Sequence, residues 1–171
     1  MPSVEKYLPK GLDTIFGALL LAPIARLIAF AVDPAVNAAM EYIGMTITAA
    51  TEQSPAIMGF LLGGIMKMIC TSPLSSMALT AMLGLTGLPM GIAAIACVAG
   101  SFTNGILFAR LHLGERSNVI AVMLEPLTQA HIITRYPIPI YASDFLGGGL
   151  AGIAAALLGI VDNAPGTASP I

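Results

Sequence analysis

The sequence predicts an all-α fold: a polytopic helical membrane protein with re-entrant or broken helices, forming a single membrane domain over 1–171. Three observations carry that reading. Of the 171 residues, 57% are hydrophobic and only 9% charged, whereas soluble domains run about 45–50% apolar and about 25% charged. Mean hydropathy is +0.89, and 7 basic plus 9 acidic residues cannot clothe a water-facing surface on a chain of this length. Lipid must replace water around most of it. The third observation is that the apolar runs, though long, are cut by proline and by hydroxyl side chains.

The elements follow in order. The opening "MPSVEKYLPKGLD" is polar and has no small-residue cleavage site after an apolar core, so it does not read as a cleaved signal. Asp13 and Asp33 bracket "TIFGALLLAPIARLIAFAV", long enough to cross a bilayer core, which takes about 20 helical residues. Pro23 predicts a kink there, and Arg26 must snorkel or find a partner. Residues 34–54 mix apolar positions with Asn37, Glu41 and several threonines, and predict an amphipathic interfacial segment.

The block from Pro55 to Ala109 is too long for one crossing and too short for three complete ones with loops. Its first two pieces, "PAIMGFLLGGIMKMIC" and "LSSMALTAMLGLTGL", are short and meet at "TSP". They predict a helical hairpin with a polar elbow inside the protein, since irregular backbone survives at membrane depth only where protein or a wet cavity satisfies it. The third piece, "PMGIAAIACVAGSFTNGILFA", is a full span. Then come an aqueous loop at 110–118, a polar segment broken at Pro126, a final helix "FLGGGLAGIAAALLGIV" and the loop-like tail "DNAPGTASPI".

Loop charge predicts orientation. Lys6 and Lys10 precede the first span, and Arg110 and Arg116 flank the 110–118 loop, whereas 33–54 carries acids but no Lys or Arg. The positive-inside rule puts the N-terminus and the 110–118 loop in the cytoplasm. Cys70 and Cys97 sit in apolar runs without metal or redox spacing and read as small buried hydrophobes. Gly59/Gly63, Gly87/Gly91 and Gly148/Gly152 each stand four apart, which predicts close helix packing within the chain, with a homodimer seam as the alternative.

A net charge of −2 offers no basic footprint, so no nucleic-acid partner is expected. Walker, G-x-S-x-G and H-E-x-x-H motifs are absent, no residue reads as catalytic, and no cofactor is expected. One His beside one Glu is too thin for a metal site.

Polar groups inside a membrane are costly and are functional candidates for that reason. "CTSPLSS" places Thr71, Ser72, Ser75 and Ser76 around Pro73, where hydroxyls can cap broken helix ends or bind a hydroxyl-rich ligand. In "MLEPLTQAHIITRYP", Pro126 interrupts the helix as the sequence turns polar. Glu125, Thr128, Gln129 and His131 there form a donor and acceptor set of the kind that holds a neutral sugar or polyol near a discontinuous helix. His131 alone reads as a hydrogen-bonded structural histidine; the cluster as a whole reads as a ligand set.

The stretches "TEQSPAIMGFLLGGIMKM" and "TSPLSSMALTAMLGLTGLPMGIAAIACVAG" resemble the membrane IIC component of the bacterial phosphoenolpyruvate-dependent sugar phosphotransferase system, in its stand-alone IIC branch. The similarity runs from about Val4 to the end, and the chain resembles the C-terminal half of longer members. The resemblance implies a multi-pass permease of the bacterial inner (plasma) membrane. It implies that a sugar bound from outside is phosphorylated by a cytoplasmic IIB partner, itself charged by IIA, and released inside as a phosphate ester. This chain would carry no phosphoryl-bearing residue of its own. Related permeases hold a Glu in a Thr-Glu-Gly or Thr-Glu-Pro motif, where this chain reads Thr128, Gln129, Ala130, with Glu125 about one turn earlier. A Gln holds a hydroxyl but supplies no carboxylate. The alternatives are a gradient-driven transporter or channel for a small polar solute, a membrane sensor that transports nothing, and an inactive fragment.

Overall fold

A computed structural model describes residues 12–169, with side chains from residue 19 onward. Lys6 and Lys10, on which the N-terminal orientation rests, lie outside the described residues. Two compact units are present, Met1–Ala39 and Met40–Ile171.

The first helix, α1 (Leu12–Gln53), has 42 residues, about twice what one crossing takes. In the first unit its described side chains are exposed almost throughout and mostly apolar, Phe30 at 80%, with Arg26 and Asp33 exposed among them. The sequence predicts a boundary at Asp33–Pro34, but the helix runs on through Pro34. One proline removes one N–H bond and crowds one carbonyl; the residues that follow are good enough helix formers to carry the ladder past it. In the second unit, the hydroxyls of Thr46, Thr48 and Thr51 donate to the carbonyls of Tyr42, Gly44 and Ile47. The threonines of 34–54 are thereby satisfied within their own helix. Gly44 lies so close to Leu83 that an added Cβ would fall 1.8 Å from its carbonyl oxygen.

The centre of the second unit is a bundle of α2 (Pro55–Thr71), α4 (Leu88–Arg110) and α7 (Pro137–Leu157). Two of the predicted glycine pairs build its tightest seam. A Cβ on Gly63 would lie 2.4 Å from the Gly148 carbonyl oxygen, and one on Gly152 would lie 2.0 Å from that of Gly59. These pairs pack α2 on α7 within one chain. In the third pair, Gly91 packs against the Ile160 carbonyl, but Gly87 serves a turn instead, with φ +68°. Around the seam, Leu62, Met66, Met90, Ile92, Ala93 and Ala155 form the apolar core.

The broken helices appear where Pro and the hydroxyl residues put them. α2 ends at an extended Ser72, and α3 (Ser76–Met82) begins after Ser75, whose side chain accepts from the Ala78 N–H. α3 has 7 residues, shorter than the predicted arm, because the chain turns at Gly84 (φ +59°). After the loop that follows α4 come α5 (Arg116–Leu124), a 3-10 turn (Pro126–Gln129) and α6 (Ala130–Ile133), with Val122 of α5 and Ile133 of α6 in one cluster with Phe108 and Ile140. α7 starts at Pro137, well before the predicted Phe145, and so takes Asp144 into the bundle.

The reading of the cysteines needs correction. Both are buried, but Cys70 and Cys97 are joined as a disulfide that ties α2 to α4, with a Cα–Cα distance of 6.1 Å. They are 27 residues apart without a motif, so only the facing of two helices reveals the pairing. The tail is irregular as predicted, yet it docks: the Asp162 N–H donates to Gly87, and Ser76 Oγ donates to the buried Ala168 carbonyl.

Candidate functional site

Two regions stand out in the second unit. The first is an open, mainly apolar recess of about 180 Å³ with a few polar groups on its walls, lined by the elbow (Cys70 and residues 73–77), by Glu125 and Leu127 at the break, and by Ser169 of the tail. Each wall has a local cause. Pro126 ends α5 and leaves Glu125 extended at φ −149°, ψ 102°, so its carboxylate turns over the break, where Oε1 accepts from the Leu127 N–H at 3.3 Å. Pro73 and the Ser75 cap end the two arms of the hairpin, and the returning tail closes the far side.

Of the eight residues singled out from the sequence, Glu125, Ser75 and Ser76 line this recess together. Ser72 donates to the Ile69 carbonyl at 2.8 Å and accepts from the Leu74 N–H, which caps the end of α2. Thr128 Oγ1 donates to the Glu125 carbonyl at 2.7 Å and stiffens the break. Gln129 is buried, and its Oε1 accepts from Asn118 Nδ2 at 2.7 Å, joining the break to the start of α5. His131 is exposed on α6 and does not line the recess. Thr71 belongs to the second region.

That second region is a buried polar centre which the sequence reading missed. Lys67 and Thr71 of α2, Ser101 and Asn104 of α4, and Asp144 of α7 meet between the three helices, none more than 2% exposed. Lys67 Nζ donates to Ser101 Oγ at 3.2 Å, and Asn104 Nδ2 donates to Thr71 Oγ1 at 3.2 Å. Lys67 and Asp144 are within electrostatic reach, and Glu125 acts on Lys67 from the break. Thr71 and Asn104 act on the Asp144 carboxylate as long side-chain hydrogen-bond donors, but at ordinary hydrogen-bond geometry neither carboxylate oxygen has a partner, nor does Asn104 Oδ1. The signal was present: Lys67 is the last charge before an uncharged run to Ala109, and Asp144 interrupts "YASDFLGGG".

In the tail, the Thr167 hydroxyl and the Ala164 N–H both donate to the Asp162 carboxylate and hold its pKa below the ordinary value. The tail turn that reaches the recess at Ser169 is thereby held by a charged acceptor.

Compared with known families, residues 2–171 match the family described as "Phosphotransferase system, EIIC". No curated protein and no solved structure matches the chain.

Proposed function

Since the chain belongs to the phosphotransferase system EIIC family, we propose that the elbow–break recess is where it takes up a sugar or polyol for phosphorylation by a cytoplasmic IIB partner. Sugar transport by the phosphotransferase system is the general function of this family, and three helices long and apolar enough to cross a bilayer fit an integral membrane protein. The observation that carries the finer reading is the meeting of Glu125 with Ser75 and Ser76 across two separate helix breaks. A carboxylate and hydroxyls can exchange hydrogen bonds with a sugar's hydroxyls in place of water, and discontinuous helices are where transport proteins place such sites.

Gln129 stands where related permeases have a carboxylate. Its side chain is engaged with Asn118, which supports a positioning role for Gln129 and leaves the acidic role to Glu125. Thr71 and Ser72 border the same elbow, and Thr128 fixes the carbonyl of Glu125. On this reading the 110–118 loop faces the cytoplasm of a bacterium, where IIA and IIB work, and the protein lies in the inner membrane.

The test is formation of sugar phosphate in vesicles supplied with the phosphoryl-donor proteins. Glu125→Ala and Ser76→Ala should each lower the rate at least tenfold. Wild-type rates in both variants would reject the recess, and solute uptake without a phosphorylated product would reject the phosphotransfer reading.

A further inference from the structure

The buried centre next to the recess holds an imbalance that its own side chains do not resolve. Asp144 Oδ1, Asp144 Oδ2 and Asn104 Oδ1 are three buried acceptors without a donor at ordinary hydrogen-bond geometry; Thr71 and Asn104 reach the carboxylate only as long, weak donors. The ammonium of Lys67, beside them, donates to Ser101 and not to Asp144. Unpaired polar groups at this depth are costly, and a bundle that needed only stability would fill the space with apolar side chains.

The packing is nevertheless arranged to admit these groups. A Cβ on Gly100 would fall 2.3 Å from Lys67 Cδ, and one on Gly148 would fall 2.5 Å from Lys67 Cβ. Glycines on both facing helices therefore make the room through which the lysine stem passes. Cys70 lines the recess, and the next residue, Thr71, belongs to the centre, so the two regions adjoin along α2.

The chemistry narrows the ligand. A carboxylate and an ammonium at one centre cancel, so an ion of either sign would meet a like charge there. A hydroxyl group donates and accepts at once: it can give its proton to Asp144 or Asn104 and take one from Lys67. We infer that Lys67, Asn104 and Asp144 form an inner sugar-binding station, which coordinates hydroxyls of the transported sugar after it leaves the recess; this rests on the sugar-transport reading above. The elbow and the Glu125–Pro126 break are the interrupted segments between which the sugar would pass.

The test is equilibrium binding of radiolabelled fructose, glucose and mannitol to the full chain in lipid nanodiscs. Asp144→Asn and the double variant Lys67→Met/Asp144→Leu are compared with Glu125→Ala, with helix content and monodispersity as the folding readout. The double variant removes both charges together and strands neither. The inference expects at least a tenfold loss of affinity for Asp144→Asn, and no measurable binding by a folded double variant. Wild-type affinity in the folded double variant would overturn it, leaving a structural pair or a bridging water, even if Glu125→Ala still weakened binding. Loss in Asp144→Asn with none in Glu125→Ala would uphold the inner station and reject the recess. No binding of any probe by the wild type would overturn both. If the double variant does not fold, Asp144→Asn decides alone: folded protein with unchanged affinity overturns the inference.

Discussion

Gly152→Ala tests the packing that brings the buried centre together. The new Cβ would lie 2.0 Å from the Gly59 carbonyl oxygen and 3.1 Å from Gly63 Cα, where ordinary contact is 3.4–4 Å. Both opposing atoms are backbone, so no rotamer change relieves the overlap; α2 and α7 must part by more than 1 Å. Overpacking typically costs about 1–3 kcal/mol, and a rigid backbone contact belongs at the upper end, about 3 kcal/mol. By the scaling for soluble domains of this size, that lowers the melting temperature by about 6–12 °C. The assay is the fraction of monodisperse protein in detergent after heating, with Leu150→Ala as the control. Leu150 is 65% exposed on the same helix, and its truncation should cost no more than about 0.5 kcal/mol. A Gly152→Ala protein that melts with the control would refute the seam.

Further predictions address the joints around the site. Reducing the Cys70–Cys97 disulfide, which closes a loop of sequence separation 27, should cost about 3 kcal/mol; reductant should lower the wild-type melting temperature and leave that of Cys97→Ser unchanged. Asn118→Ala removes a bond to the Glu115 N–H and another to Gln129. It should cost about 1–3 kcal/mol and speed amide exchange across 115–129, since each lost partner leaves a polar group unsatisfied. Asp162 has a folded-state pKa below its ordinary value. Its contribution to tail docking is therefore complete above the ordinary carboxylate pKa of about 3.9 and is lost as pH falls through the lowered one. Protease cleavage within 160–169 should rise only in strong acid, and Asp162→Asn should remove that dependence.

Much of the architecture was legible because its causes are local. Pro73 and Pro126 each stand at a helix break, although Pro23 and Pro34 are carried inside α1, and the spacing of Gly59/Gly63 and Gly148/Gly152 announces a close approach without naming the partner. What escaped depends on which faces meet. Cys70 and Cys97 gain their relation only when α2 faces α4, and Lys67 and Asp144 gain theirs only across the α2–α7 seam. The start of α7 was misplaced because "YPIPIYASD" reads as a loop by its prolines. In the structure Pro137 opens the helix, and Pro139 falls in its first turn, where the missing N–H has no partner to lose. Of the candidate residues chosen for their types and breaks, Glu125, Ser75 and Ser76 come together around one recess, whereas Gln129 is a buried joint and His131 is exposed outside that recess, because which face of a short helix turns inward is not written in its local sequence.

The most direct measurement of the central claim is the alkylation rate of Ser75→Cys by a maleimide, with and without transported sugar. Ser75 lines the recess and is exposed, while the native cysteines are joined to each other and do not react. The account predicts that a sugar which the protein phosphorylates slows the labelling at least severalfold, and that Glu125→Ala abolishes this protection. Labelling at the same rate with saturating sugar would place the sugar elsewhere and contradict it.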